Sequence, residues 1–180
     1  DPGFNYMLFF GIVRKYKGLD ILLEAFADKR VNNGKTKLLV AGEFYDDDSE
    51  YMELIEKHDL KDSVILTKSF VVDDEVANYF CAADIIVQPY RTATQSGVTQ
   101  IAYHFEKPML VTDVGGLKEI VPHNKVGYVV DSNPKAVSEA LVDFYQNNKA
   151  AKFTVGVKEE KKKYSWSKMV DTVENLYKEL

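Results

Sequence analysis

The sequence predicts a doubly wound α/β domain, with six parallel strands carrying helices on both faces. Short apolar runs and segments of helical periodicity alternate six times within 180 residues. The connections between them are short, and the strand candidates are apolar at successive rather than alternate positions. Strands that read this way are buried on both faces, and the alternation is that of a parallel sheet covered by helices.

Residues 6–13 (YMLFFGIV) form the first candidate strand, and residues 18–27 follow as a helix with Leu19, Leu22, Leu23 and Phe26 on one side. Residues 37–42 (KLLVAG) are the second strand, closed by Gly42. Asp46, Asp47 and Asp48 with Ser49 cap a helix that runs to His58 and carries Met52, Leu54 and Ile55. Residues 63–67 are the third strand, and Asp73, Asp74 and Glu75 open a helix ending near Cys81. Residues 84–88 (DIIVQ) are the fourth strand, stopped by Pro89. The next helix spans 97–105, with Val98, Ile101, Ala102 and Phe105 inward. Residues 108–112 are the fifth strand, Gly115 and Gly116 lead into a helix over 117–121, and residues 127–130 are the sixth strand. Helices over 134–147, 150–163 and 167–180 complete the chain, and residues 1–5 read as a linker remnant. The whole is a single Rossmann-like domain.

Hydrophobic residues make up 46% and charged residues 28%, the balance of a soluble globular protein of one domain. No apolar run approaches the roughly 20 residues that span a bilayer, so no transmembrane segment is expected. A net charge of −5 argues against nucleic acid as a partner. One cysteine, Cys81, excludes an internal disulfide and a cysteine metal cage and fits a reducing compartment, the cytoplasm. Set between apolar neighbours, Cys81 reads as a buried structural thiol. The acidic clusters at 46–48 and 73–75 precede helices, where capping accounts for them, and His58, His104 and His123 lack ligand spacing. No metal site is expected. The charge run 158–163 reads as a solvated helix face.

A sheet of this kind binds ligands at the carboxyl ends of its strands. That rule draws attention to the loops, and above all to the stretch 91–119. Thr94, Gln95, Ser96 and Gly97 stand where a helix begins, and free N–H groups with a partial positive charge make a helix start a seat for phosphate. Gly97 allows close approach to the backbone, and the Thr94 and Ser96 hydroxyls add donors. Alone, a Ser-Gly pair would be an ordinary N-cap. After the first strand, Gly11 to Gly18 supply Arg14 and Lys17, an arginine for bidentate contact and a lysine as a point charge. Alone, that segment would be a solvated loop. Together the two loops place anion-ready groups on one end of the sheet.

Five phrases in order, FFGIVRKYKGLDILLEAF, LLVAGE, AADIIVQPY, SGVTQIAYHFEKPMLVTDVGGLKEIV and GYVV, with Ser165-Trp166 opening the last helix, resemble the carboxyl-terminal domain of GT-B glycosyltransferases. The similarity is to the large retaining group that includes sucrose- and glycogen-synthase relatives and bacterial polysaccharide and lipid glycosyltransferases. It implies a domain that binds a nucleotide-sugar, UDP- or GDP-linked, as substrate rather than cofactor. An amino-terminal domain would bind the glycan or lipid-linked acceptor, and the full-length enzyme would sit at the membrane periphery if that acceptor is a lipid. By position, the resemblance assigns Arg14, Lys17, Thr94, Gln95, Ser96, Gly97 and Val98 to the donor diphosphate. It assigns Phe70, Val71 and Gln100 to the base and ribose, and Gly11, Gly42, Glu43 and Tyr90 to the cleft walls.

The match has one departure. Most relatives carry two glutamates eight positions apart, near the donor sugar and the ribose; counted back from Pro108, those positions are Ala93 and Ile101 here. Gln95 or Gln100 would stand in as neutral and weaker partners. The expected reading is a variant donor site in a sugar-transferring enzyme whose isolated domain is inactive. A non-catalytic nucleotide-sugar-binding module, or half of a sugar-nucleotide epimerase, are the alternatives.

Overall fold

A computed structural model describes residues 3–178. The first two residues of the expected linker and the last two of the final helix lie outside the described residues. The elements are β1 (Asn5–Phe10), α1 (Leu19–Phe26), β2 (Thr36–Ala41), α2 (Ser49–Lys57), β3 (Val64–Thr67), α3 (Asp73–Ala82) and β4 (Ile85–Gln88). They continue as α4 (Gly97–His104), β5 (Met109–Thr112), α5 (Leu117–Ile120), β6 (Gly127–Val130), α6 (Pro134–Gln146), α7 (Ala150–Lys161) and α8 (Trp166–Lys178). The predicted six strands are present, paired in parallel in the order β3-β2-β1-β4-β5-β6.

This order matters for the site. From β1 the chain winds outward through β2 and β3, then returns to β4 beside β1 and winds the other way. The loops after β1 and β4 therefore diverge, and a crevice opens between them at the carboxyl end of the sheet.

The pleat explains the continuous apolar runs. Met7, Phe9, Leu38, Val40, Ile85 and Val87 face one layer, built with α1, α2 and α6. Leu8, Leu39, Ala41, Ile86, Met109 and Val111 face the other, with α3, α4 and α7. β4 and β5 are buried at every position. The edge strand β3 exposes Ile65, as an edge allows.

Several expectations need correction. β1 stops at Phe10 because Gly11 turns to φ +96°; Val13 instead makes an isolated parallel bridge with Phe44. Cys81 is exposed rather than buried. Phe80 takes the inward position, its ring 5.0 Å from Phe10 and 5.4 Å from Phe105, and the next residue on a helix is turned about 100° away. On α4, Thr99 and Tyr103 are fully buried with Ala102, whereas Ile101 and Phe105 are half-buried. The charge run at 158–163 is not only a solvated face: Glu160 is buried and pairs with Lys125 at 2.6 Å and Lys163 at 2.5 Å. At the start of α2, the N-cap Asp48 makes no side-chain cap and forms an ion pair with Lys68 instead, while Asp47 before it accepts from the Ser49 amide at 3.1 Å and hydroxyl at 2.7 Å. α8 buries none of its described side chains; Trp166, Met169, Val170 and Val173 form an exposed apolar stripe.

Candidate functional site

The register of β1 on β2 ends at Phe10 opposite Ala41, so Gly11 and Gly42 lie side by side just beyond the sheet. Their backbones continue the ladder, Gly11 N–H donating to Ala41 O at 2.9 Å and Gly42 N–H to Thr67 O at 3.0 Å. Val13 N–H then donates to Glu43 O at 2.8 Å and Tyr45 N–H to Val13 O at 3.1 Å, so the two loops run together. A depression of about 110 Å³ opens where these loops meet the loop after β3, lined by Phe10, Gly11, Ile12, Gly42, Glu43, Phe70 and Val71. The structure thus brings together five of the predicted residues, Gly11, Gly42, Glu43, Phe70 and Val71. Phe70 is 65% exposed at the rim, and Val71 is buried beneath it.

On the other side of Gly11 lies a cleft of about 300 Å³, lined by Tyr16, Lys17, Tyr90, Gln95, Ser96, Gly97, Val98 and Ile101. Here the crevice at the β1/β4 switch point meets the N-terminus of α4. Lys17 ends a single 3-10 turn, Lys15–Lys17, that Gly18 terminates at φ +70°. A Cβ on Gly18 would stand 2.1 Å from Pro89 O, so only glycine lets the two loops close on each other. The Lys17 ammonium reaches back to Gly11, where a Cβ would lie 3.3 Å from Nζ. Gly97 opens α4 with nothing within 4 Å of the place its Cβ would occupy.

The charge arrangement is selective. Lys15 pairs with Glu50 and with Asp20 at 3.3 Å, and Arg91 grips Asp20 with both guanidinium nitrogens at 3.1 and 2.6 Å. Arg14 and Lys17 form no ion pair among the described residues. Arg14 instead lies over the ring of Tyr45, its Cζ 4.0 Å from the centroid. Burial, and then the neighbouring Arg14 charge, push the Lys17 pKa below the ordinary lysine value. Two cations held close, one partly desolvated and neither neutralised, make a site that favours an anion.

Other predicted residues are placed differently. The Ser96 hydroxyl does not face the cleft as a free donor. It donates to Gln88 Oε1 at 2.6 Å and lies 3.2 Å from the Tyr90 hydroxyl. A serine carries one proton, so Tyr90 is the donor in the second bond. Burial pushes the Tyr90 phenol up to about 12, which keeps that proton in place. Thr94 is exposed, and its carbonyl accepts from Gly116 N–H at 3.1 Å, tying the loop to the glycine turn after β5. Gln100 is not part of the cleft. With His104 it lines a separate cavity of about 400 Å³ beside Lys161, Tyr164 and Trp166. One residue further along α4, Ile101 faces the cleft, because successive helical positions differ by about 100°. Of the two candidate amides, only Gln95 remains in the cleft.

Two structural ties carry no local sequence signal. Asp20, a polar position of α1, joins α1 to the loop after β4 through Arg91. Gln88, the polar residue that closes β4, is 1% exposed and anchors Ser96, the N-cap of α4.

The family described as "Glycosyl transferases group 1" matches residues 5–147. An uncharacterised glycosyltransferase of Methanocaldococcus jannaschii is 33% identical over 184 aligned positions, covering 100% of this chain and 50% of that protein. This chain thus spans half the length of that relative. Among solved structures, sucrose-phosphate synthase from Thermosynechococcus elongatus superposes with a TM-score of 0.80 at 20% identity, covering 97% of this chain and 45% of that one. Anabaena HepE, solved in complex with UDP-glucose, superposes with a TM-score of 0.77 at 16% identity, covering 98% and 49%. The fold is that of the carboxyl-terminal domain of GT-B enzymes, and the chain belongs to the glycosyl transferases group 1 family.

Proposed function

We propose that this domain holds the nucleoside diphosphate of a UDP- or GDP-linked sugar donor, for transfer of the sugar to a glycan or lipid-linked acceptor bound elsewhere in the full-length protein. The observation that carries this reading is Lys17, a cation without a carboxylate partner among the described residues, in the wall of the cleft that holds the open N-terminus of α4, with the unpaired Arg14 near enough to depress its pKa. The diphosphate spans Lys17, Arg14 and the free N–H groups at Gly97 and Val98. The base lies across Gly11 in the depression under Phe70. When the sugar leaves, negative charge grows on the diphosphate, and fixed cations and helix N–H groups stabilise it without reorganising. The Anabaena protein solved with UDP-glucose shares this fold, which fits the reading. Among the described residues no helix is long and apolar enough to cross a membrane.

Calorimetric titration with UDP, GDP and ADP tests the proposal. Saturable binding to one of them, weakened about tenfold but still measurable in Arg14→Ala and in Lys17→Ala, is the expected result. The domain alone is expected to bind weakly and to transfer no sugar. Ile101→Glu is expected to weaken binding, because it sets a carboxylate in the wall of the anion cleft. Nucleotide binding that both cation variants retain at full strength would reject the site.

A further inference from the structure

We propose that Tyr45 is a positioning residue: its ring holds the Arg14 guanidinium on the loop that carries Lys17 without neutralising it. The inference rests on the nucleotide-binding reading above and deepens it by naming what presents the arginine.

Tyr45 is 66% exposed, so packing in the core does not explain its ring. Its defined contact is Arg14, whose Cζ lies 4.0 Å from the ring centroid. The backbone sets this meeting. Val13 bridges Phe44, Val13 N–H bonds Glu43 O, and Tyr45 N–H bonds Val13 O, so the residue after Val13 and the residue after Phe44 must lie together.

The chemistry of the contact is what makes it useful. A free arginine side chain gives up considerable rotamer freedom when a ligand fixes it, and ordering it beforehand lowers that cost. A carboxylate would also order it, but would cancel its charge and compete with an anionic ligand. Lys15, the next residue along, is handled in that way by Glu50 and Asp20. An aromatic face attracts the cation through its quadrupole and leaves the in-plane N–H donors free for bidentate contact.

Three variants separate the contributions. Tyr45→Phe keeps the π face, Tyr45→Leu removes it at similar bulk, and Arg14→Ala removes the partner. Titrated with UDP and GDP, Tyr45→Phe should match the unaltered domain. Tyr45→Leu should bind about two- to fivefold more weakly, the change expected for one exposed cation–π contact. In the Arg14→Ala background, Tyr45→Leu should have no further effect. Without any nucleotide, the Arg14 Nε–Hε resonance should show a ring-current shift that persists in Tyr45→Phe and disappears in Tyr45→Leu. An Arg14 resonance unmoved by Tyr45→Leu overturns the proposal, as does a Tyr45→Leu effect that survives in Arg14→Ala. If neither nucleotide binds the unaltered domain, the functional reading fails, and the Arg14 resonance alone decides whether Tyr45 positions it.

Discussion

Gly42 rests directly on the carbonyl of Gly11: a Cβ on Gly42 would stand 2.3 Å from that oxygen, and its φ of +148° is one that side-chain-bearing residues avoid. Bare backbone therefore divides the apolar depression from the cationic cleft. Gly42→Ala should force the two loops apart and strain the residue itself. A stability loss of about 2–4 kcal/mol is expected in denaturant unfolding, combining backbone strain with overpacking. A loss below about 1 kcal/mol would mean that the loops adjust, and that the contact does not define the crevice floor.

Gly97 makes the opposite case. It has ordinary backbone geometry and empty space in front of it, so the fold does not require a glycine there. Gly97→Ala should leave thermal stability unchanged or slightly raised, since alanine suits a helix better. The added methyl would occupy the space before the first N–H groups of α4, and nucleotide affinity should fall roughly tenfold, about 1.4 kcal/mol. If melting temperature and affinity are both unchanged, the phosphate is seated elsewhere.

Ser96→Ala should separate along the other axis. The hydroxyl is buried between Gln88 and Tyr90, and removing it leaves an amide oxygen and a phenol without partners. Buried groups stripped of a hydrogen bond cost about 1–3 kcal/mol, so a clear drop in unfolding free energy is expected. Affinity per folded molecule should change less than in Gly97→Ala, because the hydroxyl is already engaged by Gln88 and Tyr90. The reverse ranking, with stability intact and binding lost, would show that Ser96 turns outward to the ligand.

These cases show why the fold was legible in the sequence and the site only partly so. Strand runs such as LLVAG and IIVQ announce burial on both faces, and parallel pairing then leaves few topologies, so all six strands and the position of the crevice followed from local pattern. That Lys17 and Gly97 line one cleft also followed from the loops they occupy, whereas their role toward a ligand is the proposal made above. Side-chain direction was not. Ser96 turns inward because Gln88 offers an acceptor, and Gln100 leaves the cleft because Ile101 takes the facing position on α4. The pairing of Asp20 with Arg91 joins residues 71 positions apart, which no local pattern reports.

The depressed pKa of Lys17 makes a final prediction about pH. In the free domain, burial and Arg14 disfavour its charged form, so the unfolded chain holds this proton more tightly than the folded one. Folding stability from this group therefore rises with pH between the lowered folded value and the ordinary 10.5. Ligand binding has the opposite sign. A bound diphosphate favours the charged lysine and raises its pKa, so binding takes up a proton wherever the free lysine is partly neutral. Affinity should fall as pH rises through the lowered value, starting below the ordinary lysine range. Calorimetry in buffers of different ionisation enthalpy, from about pH 7 to about pH 10, should detect the proton uptake. Lys17→Arg keeps the charge throughout this range and should flatten the decline. An equal alkaline loss in Lys17→Arg would assign the titration to another group and remove Lys17 from the anion site.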